Sequence, residues 1–310
     1  MESEFGVIDW LRRRAAAHGA VPLGIGDDCA AIRFGGAVEA LVTTDMLMDG
    51  RHFRLGSASA AEVGRKALGV NLSDIAAMAG RPVAAFVAVA LPKDEAGAIA
   101  RGLWEGMRPL AERFEVALAG GDTNAWDGPL VVCVTVVGAA TARGAVRRSG
   151  ARPGDALLVT GPLGGSLLGR HLRPRPRVAE ALAIHELVDI HAMIDISDGL
   201  AADLGHVLVE SGGLGAVLDE GAVPVHEDAV AMARDDGRSP LEHALHDGED
   251  FELLLAVAPG DADRLLAAPP AGCDALRRLG TVSDRPGLRL RSADGAEATI
   301  RPLGFDHLAC

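Results

Sequence analysis

Apolar residues fall along this chain in two rhythms. Unbroken runs such as VAAFVAVAL (83–91) and LVVCVTVV (130–137) have the length of buried strands and are too short to cross a bilayer. Longer stretches space their apolar positions three and four apart, the period of a helix. They are EFGVIDWLRRRAAAHG (4–19), AAEVGRKALGVNLSDIAAMAG (60–80) and DEAGAIARGLWEGMRPLAERF (94–114). Gly19 closes the first, and Gly80 with Pro82 closes the second. CAAIRF (29–34) and EALVTTD (39–45) read as strands, and VALAGGD (116–122) as a short strand running into a turn.

The second half resumes after TARGAVRRSGARPGD (141–155), whose Gly, Pro and clustered arginines suit an interdomain connection near 145–150. It then shows a strand ALLVT (156–160), a loop GPLGG, a strand AMIDI (192–196), a helix SDGLAADLGHVLVES (197–211), a strand FELLLAV (251–257) and a helix from about 260. Strands alternate with helices throughout. The expectation is an α/β (α+β) protein of two domains, 1–145 with a mixed sheet and helices, and 146–310 as a second α/β domain.

Composition narrows the function classes. Of 310 residues, 49 % are hydrophobic and none is tyrosine, so small aliphatic side chains must fill the cores. A net charge of −13 disfavours nucleic acid as a partner. Cys29, Cys133, Cys273 and Cys310 are far apart, without a CxxC pair, which suits free thiols in a reducing compartment. The first residues, MESEFGVIDWLRRR, carry no apolar signal segment, and a cytoplasmic, non-membrane protein is expected.

The acids are clustered. GDD (26–28), TTD (43–45), NLSD (71–74), GGD (120–122), DISD (195–198) and DGED (247–250) each sit where an apolar segment meets a turn or small residues. Any one of these is explained by a turn or a helix cap. Six together are not, because strand ends on one sheet edge converge on the usual ligand crevice of α/β sheets. Asp28, Thr43, Thr44, Asp45, Asp74, Asp122, Asp195 and Asp198 offer hard oxygen donors without the spacing of an EF-hand. Such a set fits magnesium shared with substrate phosphates. Paired carboxylates such as Asp27 and Asp28 are then tolerated because cations and a nucleotide lie between them.

Other chemistries lose support. There is no GxxxxGK[ST] loop, no protein-kinase signature and no GxSxG elbow. GIGDDC lacks the last glycine of a dinucleotide fingerprint, and HELVDIH is not HExxH. Arg148 in RRSG fits either a forked grip on phosphate oxygens or a solvated linker arginine. His52 fits either a ligand contact or an ordinary surface or core histidine, and Phe305 either a ligand contact or a docking anchor for the C-terminus.

GIGDDCA, TTDMLMDGRHF, KALGVNLSDIAAMAG, GGDT, RSGARPGD, DISDGLAADLGH, GEDFEL and GFDH, in that order, resemble the thiamine-monophosphate kinase family, cousins of aminoimidazole ribonucleotide synthetase and selenophosphate synthetase. The resemblance implies transfer of the γ-phosphoryl of ATP to thiamine monophosphate, giving thiamine diphosphate. It implies a homodimer paired through the N-terminal sheets, with the active site in a cleft near that interface. It makes Asp28, Thr43, Thr44, Asp45, Asp74, Asp122, Asp195 and Asp198 the set for several Mg²⁺ ions, with Asp27 as an outer ligand. Gly121, Asp122, Arg148 and Ser197 become nucleotide contacts, and His52, Glu249 and Phe305 contacts to thiamine monophosphate. The acceptor phosphate is already a nucleophile near neutral pH, so no general base is assigned.

Two departures from the family pattern stand out. TGPLGGSLLGRHLRPRPR is compressed and lacks an acid often found in that loop, and Phe305 stands where tyrosine or tryptophan is common. Two other readings compete: a sibling enzyme acting on another small molecule, and a divalent-cation or nucleotide binder without turnover. No reactive Cys with a nearby lysine precedes Gly24, as a selenophosphate synthetase would require, and the intact carboxylate set argues against a degenerate binder.

Overall fold

A computed structural model describes residues 8, 12–13, 20–33 and 38–304. The helix expected over 4–19 and the aromatic Phe305 lie largely or wholly outside these residues. Among the described residues there are two mixed sheets and seven helices, the two-domain α/β arrangement that the alternating pattern predicts.

The first domain holds β1 (Ala30–Ile32), β2 (Ala40–Met48), β3 (Arg81–Pro92), β4 (Ala117–Trp126) and β5 (Val131–Ala139) in the order β1-β2-β5-β3-β4. Only β3 and β4 run parallel. Two helices, α1 (Ala60–Ala77) and α2 (Ala96–Arg113), pack against one face. Strand alternation aims Leu41, Leu47, Val132, Val134 and Val136 at the helices, where they join Leu68, Leu72 and Ile75 in one core. The opposite face carries Met46, Met48 and Phe86, all exposed.

Helix α1 organises the molecule. Ser59 and Glu62 form a reciprocal capping box at its start. Contact with α2 is close because a Cβ at Gly64 would lie 2.1 Å from the Leu103 carbonyl oxygen. The helix ends at Ala77, and the left-handed turn expected of Gly80 is taken instead by Ala79, with φ of 50°. Gly80 has a different task, since a side chain there would strike Leu41.

The second domain is a seven-stranded sheet of order β12-β11-β8-β10-β6-β9-β7. Its strands are β6 (Ala156–Val159), β7 (Ile190–Asp195), β8 (Gly215–Asp219), β9 (Leu253–Val257), β10 (Arg277–Ser283), β11 (Gly287–Arg291) and β12 (Glu297–Ile300). Its helices are α3 (Val178–Leu187), α4 (Leu200–Glu210), α5 (Glu227–Asp236), α6 (Pro240–His246) and α7 (Pro259–Ala267). One face packs on α4 through Ile194, Leu204, Leu218 and Leu254. The other packs on α3 and α7, and there Ala76 and Ala77 of α1 join Leu158, Met193 and Leu255 in a shared core. The end of α1 therefore belongs to both domains.

Candidate active site

The seam beside the last turn of α1 gathers acids from both domains. Asp28 follows the GIG turn, Asp74 lies in the last turn of α1 and Asp195 ends β7; one carboxylate oxygen from each lies within 4.8 Å of the others. The NLSD stretch is the pivot. Asp74 accepts the hydroxyl of Thr43 on β2 at 2.5 Å, while its neighbour Ser73 donates to Asp195 across the seam at 2.5 Å.

Burial makes this cluster electrostatically expensive in the absence of a cation. Asp195 is pushed up to about 8, by burial first and then by Asp28. Asp74 is raised well above the carboxylate range by burial and by the charges of Asp45, Asp195 and Asp28. Asp27 is pushed up to about 6 by burial and by Asp28. Arg148 offsets part of the charge. It is not a solvated linker arginine, because Nε and Nη2 fork onto Asp28 at 3.0 and 2.7 Å while its backbone N–H reaches Asp27. Three convergent hard-oxygen donors with one arginine for countercharge suit a divalent cation.

Asp198, Asp203 and His206 form a second group of the same kind. Asp203 accepts the backbone N–H groups of Ser197, Asp198 and Gly199, each at 3.1 Å, and so shapes the DISDG turn. Burial, then Arg148, pushes His206 down to about 4, so its imidazole is neutral. Asp203 and His206 were not singled out from the sequence. Their signal is the i, i+3 spacing on the first turns of α4, one face of a helix pointing back at the turn that precedes it.

A third group adjoins these through one hydrogen bond, from the Glu249 N–H to the Ser197 carbonyl at 2.7 Å. Glu249 meets Lys66 Nζ at 2.6 Å and His171 Nδ1 at 3.1 Å, and the His52 carbonyl accepts from Lys66 at 2.9 Å. The His52 ring accepts from the Met48 N–H.

Three sequence-derived candidates stand apart. Thr44 points to the exposed face of β2, away from Thr43 and Asp45, and bonds Thr135 at 2.6 Å. Gly121 and Asp122 lie on β4, three strand steps from β2, or about 14 Å. Asp122 is exposed and accepts from Asn124. Gly121 is needed because a Cβ there would meet the Val87 carbonyl at 1.8 Å. Gly304, the last described residue, sits against Asp198: a Cβ there would lie 2.6 Å from the Asp198 carbonyl.

This fold matches a known class. Residues 26–140 match the AIR synthase related protein N-terminal domain and residues 152–292 its C-terminal domain. Over 99 % of its length the chain is 43 % identical to thiamine-monophosphate kinase of Rhodopirellula baltica, covering 97 % of that protein. The solved structure of AaThiL complexed with AMPPCP and TMP superposes with a TM-score of 0.84 at 28 % identity, covering 99 % of this chain and 97 % of that one. Thiamine monophosphate kinase from Stenotrophomonas maltophilia K279a gives 0.74 at 33 % identity, over 95 % and 98 %. The chain belongs to the thiamine-monophosphate kinase family.

Proposed function

We propose that this chain transfers the γ-phosphoryl group of ATP to thiamine monophosphate, the last step in making thiamine diphosphate. The observation that carries the reading is the meeting of Asp28, Asp74 and Asp195 at the seam of a chain that matches one of these kinases over 97 % of that protein. An oxygen of the acceptor phosphate attacks the γ-phosphorus in line, the bond to the β-phosphate bridging oxygen breaks, and ADP leaves. Both reactants are anionic, so positioning and charge neutralisation supply the rate. Mg²⁺ ions, when bound, would supply that neutralisation. Asp28, Asp74 and Asp195 would hold them, with Thr43 orienting Asp74, Asp45 at the edge of the cluster and Asp198 beside it. Arg148 fixes Asp28 and, with Ser197, Gly121 and Asp122, serves the nucleotide. His52, Glu249 and Phe305 serve the thiamine moiety. No residue is required as a general base.

The reading includes a homodimer. The open face of the N-terminal sheet carries Met46 and Phe86, 54 % and 43 % exposed, and Asp122 lies on the same face. A second copy paired there buries Met46 and Phe86 and leaves Asp122, on the edge strand β4, at the rim of the pairing for the nucleotide. The nucleotide-binding and pairing unit is 1–145, and 146–310 is the second domain. Among the described residues no helix is long and apolar enough to cross a membrane. The free thiols of Cys29, Cys133 and Cys273 suit a reducing compartment, and the reading includes a cytoplasmic enzyme. The test is direct: purified chain, ATP, Mg²⁺ and thiamine monophosphate, with thiamine diphosphate followed by chromatography with and without EDTA. Metal-dependent product is expected. Its absence from folded protein sinks the reading.

A further inference from the structure

Of the 30 lysines and arginines in this chain only Lys66 and Lys93 are lysines. Lys93 lies on the surface. Lys66 is fully buried on α1, in a chain that otherwise uses arginine for positive charge. Its surroundings explain the choice. Nζ has the His52 carbonyl at 2.9 Å, His171 Nδ1 at 3.0 Å and Glu249 Oε1 at 2.6 Å. The His52 carbonyl and Glu249 Oε1 accept from Nζ, while His171 Nδ1 either accepts the third proton or, when it carries its own, donates to Glu249 Oε2; partners spread around one point suit an ammonium group and not a planar guanidinium fork. The partners come from three loops: the β2–α1 connection, the turn at 170–172 and the loop before β9.

Glu249 needs such a holder. Its backbone is left-handed, with φ of 63°, and its side chain is 22 % exposed while Lys66 behind it is sealed off. Burial pushes the Glu249 carboxyl up, but His171 and Lys66 outweigh it and hold the group below the usual range, so it is charged. Lys66 engages Oε1 and His171 Nδ1 lies 3.1 Å from Oε2, yet the side chain is still partly exposed, so the held carboxylate keeps accepting capacity for a ligand.

We propose that Lys66 is a positioning residue: it locks the Glu249 carboxylate and the His52 turn into one unit that receives the cationic, ring-bearing half of a phosphorylated acceptor. The proposal rests on the reading that His52 and Glu249 serve thiamine monophosphate. Lys66 does not touch the acceptor; it sets how well the acceptor is held, leaving the nucleotide site alone.

Steady-state kinetics of full-length K66M, K66R, E249Q and K66M/E249Q test this, with thiamine monophosphate and ATP varied in turn and melting temperatures recorded. K66M and K66R should each raise KM for thiamine monophosphate about tenfold or more, with KM for ATP changed less than about twofold. The double variant should be no worse than E249Q, because both changes act through one carboxylate. If K66M does not fold, K66R carries the test, since it keeps the charge and loses the geometry. A lowered melting temperature with both KM values unchanged overturns the proposal and leaves Lys66 a structural pair. E249Q with unchanged KM for thiamine monophosphate overturns it by removing the target. Wild-type turnover is measured first; its absence overturns the functional reading itself.

Discussion

Ser73 and Asp195 come from different domains, yet the Ser73 hydroxyl donates to the Asp195 carboxylate at 2.5 Å and both are buried. The bond ties α1 to the end of β7 at the point where the acids converge. Ser73→Ala should remove about 1–3 kcal/mol of stability, the range for leaving a buried hydrogen-bond partner unsatisfied. Thermal unfolding measures it, and an unchanged melting temperature would mean that the seam is held by packing alone.

The acids themselves set a pH dependence. Asp195 titrates at about 8 when folded, against 3.8 for the free group. A carboxyl raised on folding binds its proton more tightly in the native state, so the stability it contributes is present at low pH and lost as pH rises through that window. Asp74 and Asp27 shift in the same direction. In EDTA the melting temperature should therefore fall between about pH 4 and pH 8, and Asp195→Asn should flatten part of the fall. Added Mg²⁺ should raise the melting temperature more at pH 8 than at pH 5, because ion binding needs the ionised form. A melting temperature in EDTA that climbs over this range would contradict the account.

Asp45→Asn keeps the size of the side chain and removes a charge that Asp74 and Asp195 both feel. Phosphoryl transfer should drop by about 10²-fold or more while the melting temperature in EDTA holds or rises. Unchanged turnover would make Asp45 a strand residue without a role in the site.

Arg148→Met deletes the fork on Asp28, whose side chain is fully buried. Leaving that carboxylate without its cation should cost about 3 kcal/mol or more in stability. Arg148→Lys should recover some of the stability and less of the activity, because a point charge cannot reproduce the two-pronged contact. Equal behaviour of the two variants in melts would show that the charge is dispensable.

Met46→Glu places a charge in the middle of the open sheet face. Light scattering should show a dimer for the parent and a monomer for the variant, with the far-ultraviolet circular dichroism unchanged. A parent that scatters as a monomer rules out pairing through this face under those conditions.

Much of this architecture can be read from the chain. The apolar runs of β3 and β5 and the three-four spacing of α1 and α2 predict their own elements, and NLSD, DISD and GDD mark the acids that meet. Thr44 was grouped with Thr43 and Asp45 by adjacency, although a strand turns every second side chain to the other face. VALAGGD was read as ending in a turn at its glycines, but β4 continues to Trp126 because the edge of β3 supplies partners across its whole length. The strands β8, β10, β11 and β12 were not singled out: they are short, and arginines and polar residues interrupt the apolar positions of β10, β11 and β12, so no unbroken run like those of β3 and β5 marks them. Lys66 was passed over because its three partners come from loops scattered through the sequence, and only tertiary folding brings them together.

The seam also sets a schedule. Ser73 and Asp195 are 122 residues apart in the chain. A ribosome adding about 5–20 residues per second needs roughly 6–24 s between them. For that interval Asp28 and Asp74 wait beside a groove with its far wall missing. The nascent first domain carries the last turn of α1 uncovered until β7 arrives to seal it. The acidic seam is thus complete only late in synthesis, and a chain that stalls before residue 195 leaves Ala76 and Ala77 without their partners from β7.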